Sequence, residues 1–271
     1  MNASSWRAQL DLQFNAIGRR TVLARRQHQG PLVVQRPFYP EGGICHVYLV
    51  HPPGGIVGGD HLGLNVQATP GSHALITTPA ATKFYRAGPH PSATMHQQLQ
   101  VTDAALEWLP QETIVFDGAR ATTRTEVRLH GSAQFLGWEI ACLGRPANAE
   151  TLRHGALAQD LLLYQDGRPL LLDRLRLQGG SPALDAIWGL AGMQALGTLL
   201  MYPAKQVDLA ALRALQAPSV RFALTRVQDV LVCRALALHA EPVRNLFMQM
   251  WLQLRPALLG CEAIAPRIWA T

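Results

Sequence analysis

Short runs in which apolar and polar residues alternate follow one another through the first two thirds of the chain: TVLARRQ, PLVVQRPF, CHVYLV, HALITT, MHQQLQV, ALEWLP, TRTEVRLH, AQFLGWEIACL and PLLLDRLRL. Gly, Pro and Asn separate them, and no long segment of 3.6-residue period comes between. A period of two over a few residues marks a strand with two unlike faces. The pattern predicts a mainly β protein over residues 1–180: a large, multi-stranded, mostly antiparallel architecture with few helices. Beyond QGGSPAL the texture changes. AIWGLAGMQALGTLLMYP, VDLAALRALQ, SVRFALTRV, DVLVCRALAL and AEPVRNLFMQMWLQLRPALLG read as strand, helix, strand, strand and helix. They make a small α+β layer over 181–271 that packs with the rest as one compact unit. In the last of them Val243, Leu246, Phe247, Met250, Leu254 and Leu258 recur at three or four positions, an amphipathic face. Pro242 suits the first turn of that helix and Gly260 its end.

The stretch HPPGGIVGGD, residues 51–60, directly follows the apolar CHVYLV. Glycines after a strand suggest a phosphate loop, but a Walker loop requires Lys after the second glycine pair, and Asp60 stands there. The dinucleotide spacing is missing too. A prolyl turn whose glycines take positive φ or allow close backbone approach fits the residues better.

Side-chain alternation places three carboxylates on apolar faces. Asp60 shares a face with Leu62, Leu64 and Val66; Glu139 lies in FLGWEIAC, where both faces are apolar; Asp173 shares a face with Leu171, Leu175 and Leu177. An unpaired buried carboxylate costs several kcal/mol, so each needs a cation, hydrogen bonds, water or a metal. Lys83, Arg86 and Arg145 are candidate cations nearby in sequence. Two readings stay open: acids satisfied by arginine or backbone donors, or acids lining a polar path for a cation.

Charged residues are 15% of the chain against roughly 25% in an average soluble domain, and the net charge of +6 reflects few acids rather than a basic tract. Scattered arginines argue against nucleic-acid binding. No uninterrupted apolar run is long enough to span a membrane, and the amino-terminal stretch has no basic start followed by an apolar block, so a cytoplasmic protein is expected. The four cysteines are too widely spaced for a disulfide framework or a zinc knuckle and read as small buried hydrophobes. Ten histidines show no His-x-His or HExxH grouping, which leaves room for transient contact with nickel or zinc but not for a preformed cage. No acid, base and nucleophile set assembles. ITTPAATKFYR, with Thr82, Lys83 and Tyr85, has the residues to bind a small anion, so an enzyme using this segment and the GGD turn is the alternative from another class.

The stretches GPLVVQRPFYPEGGICHVYLVHPPGGIVGGDHL, ITTPAATKFYRAG, LEWLPQETIVFDGA, GWEIACLGRP and GRPLLLDRLRLQGG, with the ending MWLQLRPALLG and PRIW, resemble in order the UreD (UreH) family of urease accessory proteins. The resemblance implies a non-enzymatic scaffold of mainly β fold. It further implies binding to apo-urease together with UreF and, through UreF, the GTPase UreG, and help for nickel on its way to the urease active site. No tightly bound cofactor is expected, only transient nickel. An internal tunnel lined partly by acids is also implied. Matched residue by residue, its acids are Asp60, Glu139 and Asp173, with Thr82 at a small-hydroxyl position and His51 as a further candidate ligand. At PEGG the chain departs from the family, keeping only Glu41 where relatives often carry more acids. A nickel store that binds the metal tightly without partners is a third reading.

Overall fold

The computed structural model describes residues 5–205 and 207–270. Residues 1–4, the start of the stretch read above for a leader, lie outside the described residues, as do 206 and 271. The chain opens with a hairpin, β1 (Arg7–Ile17) and β2 (Arg20–Gln29), and crosses by β3 (Val33–Val34) to β4 (Cys45–Val50). It then winds. β5 (His61–Ala68) leads to β6 (His73–Thr77) and the short β7 (Thr82–Phe84); β8 (Ala93–Thr102) leads to β9 (Ala105–Leu109) and the short β10 (Thr113–Val115). β11 (Arg120–His130) leads to the long β12 (Gln134–Leu143), and a second hairpin follows, β13 (Ala156–Gln165) and β14 (Arg168–Gln178). A single turn, α1 (Pro182–Asp185), precedes β15 (Ala195–Tyr202), α2 (Leu209–Arg213), the hairpin β16 (Arg221–Val227) and β17 (Val230–Ala237), and finally α3 (Ala240–Leu259).

The strands form two sheets. The first runs β14-β13-β11-β8-β5-β1-β2, and the second β16-β17-β15-β12-β9-β6-β4-β3, with β7 and β10 joined to the end of β12. Because the chain visits the two sheets in turn, β5, β8 and β11 each return to the first sheet in the same direction and pair in parallel. The same holds in the second sheet for β4, β6, β9 and the start of β12. β12 does the work of two strands of the preceding turn: residues 134–137 pair with β9 and residues 141–143 with β10. Antiparallel pairing is confined to the ends of the winding, at β1–β2 and β13–β14 in the first sheet, and at β3–β4 and from β12 through β15 and β17 to β16 in the second. The protein is mainly β, as the alternation predicts, but its sheets are mixed rather than mostly antiparallel. Alternation has the same period in either strand direction, so it carries no information on direction; the link through the facing sheet decides it.

The alternation does decide the layers. Inward residues of both sheets, among them Leu64, Val66, Leu106, Phe135 and Val232, form one core between the sheets. The other face of the second sheet, with Leu75, Leu136, Trp138, Leu199 and Cys233, forms another core against α3. The predicted stripe Val243, Leu246, Phe247, Met250, Leu254 and Leu258 is the buried face of that helix, and Gly260 ends it in the left-handed conformation. Cys45, Cys142 and Cys233 are buried free thiols; burial pushes Cys45 and Cys142 up to about 11 and Cys233 to about 12, so they pack as hydrophobes.

One buried polar cluster fastens α3 to the sheet. The fully buried Arg255 donates through Nε to Glu107 at 3.0 Å and through its terminal nitrogens to both oxygens of Glu41, at 2.5 and 2.9 Å. Trp251 donates its indole N–H to Glu107 at 2.7 Å, His73 meets the same carboxylate at 2.8 Å, and His46 meets Glu41 at 2.5 Å. Burial alone would raise the Glu41 pKa, but the hydrogen bonds from His46 and Arg255 hold it below its ordinary value. The lone acid of PEGG is thus committed to a structural pair. Removing one partner of a buried pair strands the other charge, so Arg255→Met is expected to lower stability by about 3–5 kcal/mol, read as a shifted midpoint in urea denaturation.

Candidate functional site

The glycine stretch is a mouth rather than a phosphate cradle. Gly54 and Gly59 have φ of +77° and +89°, and a Cβ on Gly55 would fall 2.0 Å from the Tyr85 ring. Asp60 ties the loop down: its carboxylate accepts from the amide of Trp6 at 2.8 Å and from that of Val57 at 3.0 Å. Asp60 is buried beside Leu62, Leu64 and Val66, as its position predicts, and it is satisfied by backbone donors. It does not line the cavity below. His51, Gly54 and Gly55 do. Burial lowers the His51 pKa, against the opposing pull of the Asp60 charge, so at neutral pH the imidazole is uncharged and a competent ligand.

Below this loop lies a cavity of about 170 Å³, bounded by His51 and Thr82 toward the mouth and by Gln97, Trp108, Glu139 and Gln159 within. A second cavity of about 50 Å³ lies beside it, and Glu139 and Gln159 stand in the walls of both. Asp173, Thr198 and Arg234 enclose the far side. His51, Thr82 and Glu139 thus line the larger cavity and Glu139 and Asp173 the smaller, while Asp60 lines neither.

Glu139 lines both cavities. Its surface faces them and not bulk water, and burial raises its pKa, helped by the nearby charge of Asp173 and only partly offset by Thr125 and Gln159. Gln159 donates to one carboxylate oxygen at 2.7 Å, and the Thr125 hydroxyl lies in hydrogen-bond contact with the other. That hydroxyl also contacts Oε1 of Gln97. A hydroxyl has one proton, so Thr125 donates to only one of these two oxygens at a time. The Trp108 indole lies close enough to favour the charged form but makes no hydrogen bond of normal geometry.

Asp173 has a cation, though none of those near it in sequence. Arg234 of β17 approaches it at 3.0 Å across the two sheets. Arg86 faces Asp117 and Arg145 binds Glu150 instead. Lys83 has no ion pair among the described residues. The face count placed the acids correctly but missed their polar neighbours. Gln97 and Thr125 carried a signal, since each sits among apolar residues at alternate positions of MHQQLQV and TRTEVRLH; Gln159 lies on β13, a strand the pattern did not mark out. Among the described residues no group of three or more His, Cys, Asp or Glu has the geometry to hold a metal ion, and no helix is long and apolar enough to cross a membrane.

Two facing sheets with two small cavities between them define a mainly β protein, with isolated carboxylates in place of a ligand cluster. The family model described as UreD urease accessory protein matches residues 7–270, and the chain belongs to that family. It is 44% identical over 267 residues to "Urease accessory protein UreD" of Klebsiella aerogenes, covering 98% of this chain and 97% of that one. It is 47% identical over 271 residues to the protein of the same description from Azoarcus sp. (strain BH72), covering 98% and 94%. With "Urease accessory protein UreD 2" of Brucella anthropi it shares 42% identity over 274 residues, covering 99% and 100%.

The folded chain holds the Glu139 proton more tightly than the unfolded chain does. Stability from this group is therefore complete at acid pH and is lost as pH rises from the ordinary carboxylate range toward the raised folded value. Glu139→Gln removes that loss. Thermal melts of the variant and the parent chain should coincide near pH 5 and separate toward pH 8, with the variant the more stable.

Proposed function

We propose that the chain is a urease maturation scaffold that binds apo-urease together with UreF and, through UreF, UreG, and that nickel on its way to the urease active site passes through its interior. In this reading it acts in the cytoplasm and turns over no substrate. The observation that carries the reading is the shared wall: Glu139 and Gln159 line both cavities, the larger of which also holds His51 and Thr82 and the smaller Asp173. Nickel is cargo here. A carrier needs weak, separated ligands, because carboxylates and imidazoles gathered within bonding distance would retain the ion. Single carboxylates still lower the cost of a divalent charge in a medium of low dielectric constant. Asp60 contributes by holding the entrance loop, not by meeting the ion.

Partner binding has its own support. Ile187 is 90% and Trp188 74% exposed, on a connection between α1 and β15 whose amides bond back to Pro182, Ala183 and Leu184. Large apolar side chains held out by a preorganised loop are the usual anchors of protein interfaces.

Two outcomes follow. Glu139→Gln should co-purify with apo-urease and UreF as the parent chain does, yet leave urease with several-fold less nickel when the metal is limiting, as measured in the recovered enzyme; full loading by a folded variant would overturn the passage. Trp188→Ser should weaken capture of partner proteins by about tenfold or more, as expected for the loss of a hot-spot residue, without changing the melting temperature.

A further inference from the structure

The inner end of the passage is closed by an ion pair whose residues come from different sheets. Asp173 is on β14, at the edge of the first sheet; Arg234 is on β17 of the second. The register makes the connection to Glu139 explicit. Glu139 lies opposite Thr198, and Thr198 opposite Arg234, so the three form one row across β12, β15 and β17. Facing that row from the first sheet are Gln159 and Asp173, and all five enclose the smaller cavity. At about 50 Å³ that space suits a water or two. With the guanidinium in place, a hydrated divalent ion does not fit there.

The two members of the pair are unequally anchored. Asp173 is largely buried, whereas the Arg234 side chain is 57% exposed. The carboxylate is part of the wall, and the guanidinium is a long cation reaching in from solvent. We propose that Arg234 is a latch on the passage: it occupies the cation position at Asp173 in the free chain and must swing outward before a divalent ion can use that carboxylate. The inference rests on the passage reading above and adds a residue that controls its far end. Arg234 is a positioning residue, since it touches the carboxylate and not the ion. An exposed side chain can leave without disturbing the core, and its departure uncovers Asp173, Thr198, Gln159 and Glu139, a set of oxygen donors suited to a weakly held divalent cation.

The test is equilibrium titration of the full chain with nickel alone. Arg234→Gln should bind at least about tenfold more tightly than the parent, as expected when a competing charge at a close pair is removed. Arg234→Lys should stay near the parent, and Arg234→Gln combined with Asp173→Asn should lose the gain. Arg234→Met makes the same test without the added amide. Unchanged affinity in the Gln and Met variants, or a gain that survives loss of the Asp173 charge, would overturn the latch. The result is separable from the passage itself. If Glu139→Gln stops nickel loading while Arg234→Gln gains no affinity, the passage stands without a latch. If Arg234→Gln gains affinity while Glu139→Gln loads urease fully, Arg234 guards a cation site that is not on the route.

Discussion

A strand presents its two faces to different surroundings, and a chain that passes alternately between two facing sheets sends every second side chain of each strand into one shared interior. Parallel return fixes which of those side chains become neighbours. It sets Gln97 beside Thr125 in the first sheet, while the antiparallel pairing of β12 with β15 sets Glu139 beside Thr198 in the second. The polar patches in the cavity walls are a product of that stacking: a few hydrophilic residues at inward positions of successive turns, surrounded by Leu, Ile and Val. Neither cavity would survive a shift of one residue in register, which would turn the whole inward set outward.

The buried charges divide into two kinds. Glu41, Glu107 and Arg255, with His46 and His73, pair with one another and lock α3 in place. Their hydrogen bonds offset the desolvation of several ionic groups and leave little for a visiting ion. Glu139 is the opposite case, a carboxyl in the interior with only uncharged hydrogen-bond partners. Asp173 stands between the two, paired but with a partner that solvent can take back. The protein thus spends its strongest pairing where the layers must hold and its weakest where something must move.

Much of this was legible from the residues. Period-two alternation located most of the strands, the 3.6-residue period gave α3 and its buried stripe, and face counting put Asp60, Glu139 and Asp173 on apolar sides. Strand direction was not legible, because alternation is blind to it. Nor were the partners of the acids. Arg234 lies far from Asp173 along the chain, and Glu107 in ALEWL gives no sign that a helical arginine near the other end will meet it. Sequence proximity suggested Lys83, Arg86 and Arg145; the fold chose differently because sheets bring together residues that the chain separates. The glycine stretch was read correctly as a turn, and Asp60 proved to be its anchor rather than its payload.

The antiparallel strands at the two ends of the winding also bear on how the molecule behaves in company. A coil of parallel strands has no intrinsic last turn: its open edge is a template on which another copy could continue the same ladder. Here the chain reverses direction at both ends of the first sheet, and the outermost strands carry charge. β2 exposes Arg25, Arg26 and His28, and β14 exposes Arg168, Arg174 and Arg176. Stacking a second molecule in register would set like charges against each other along the seam. Like charge on both outer strands therefore opposes continuation of the first sheet's ladder by a second copy.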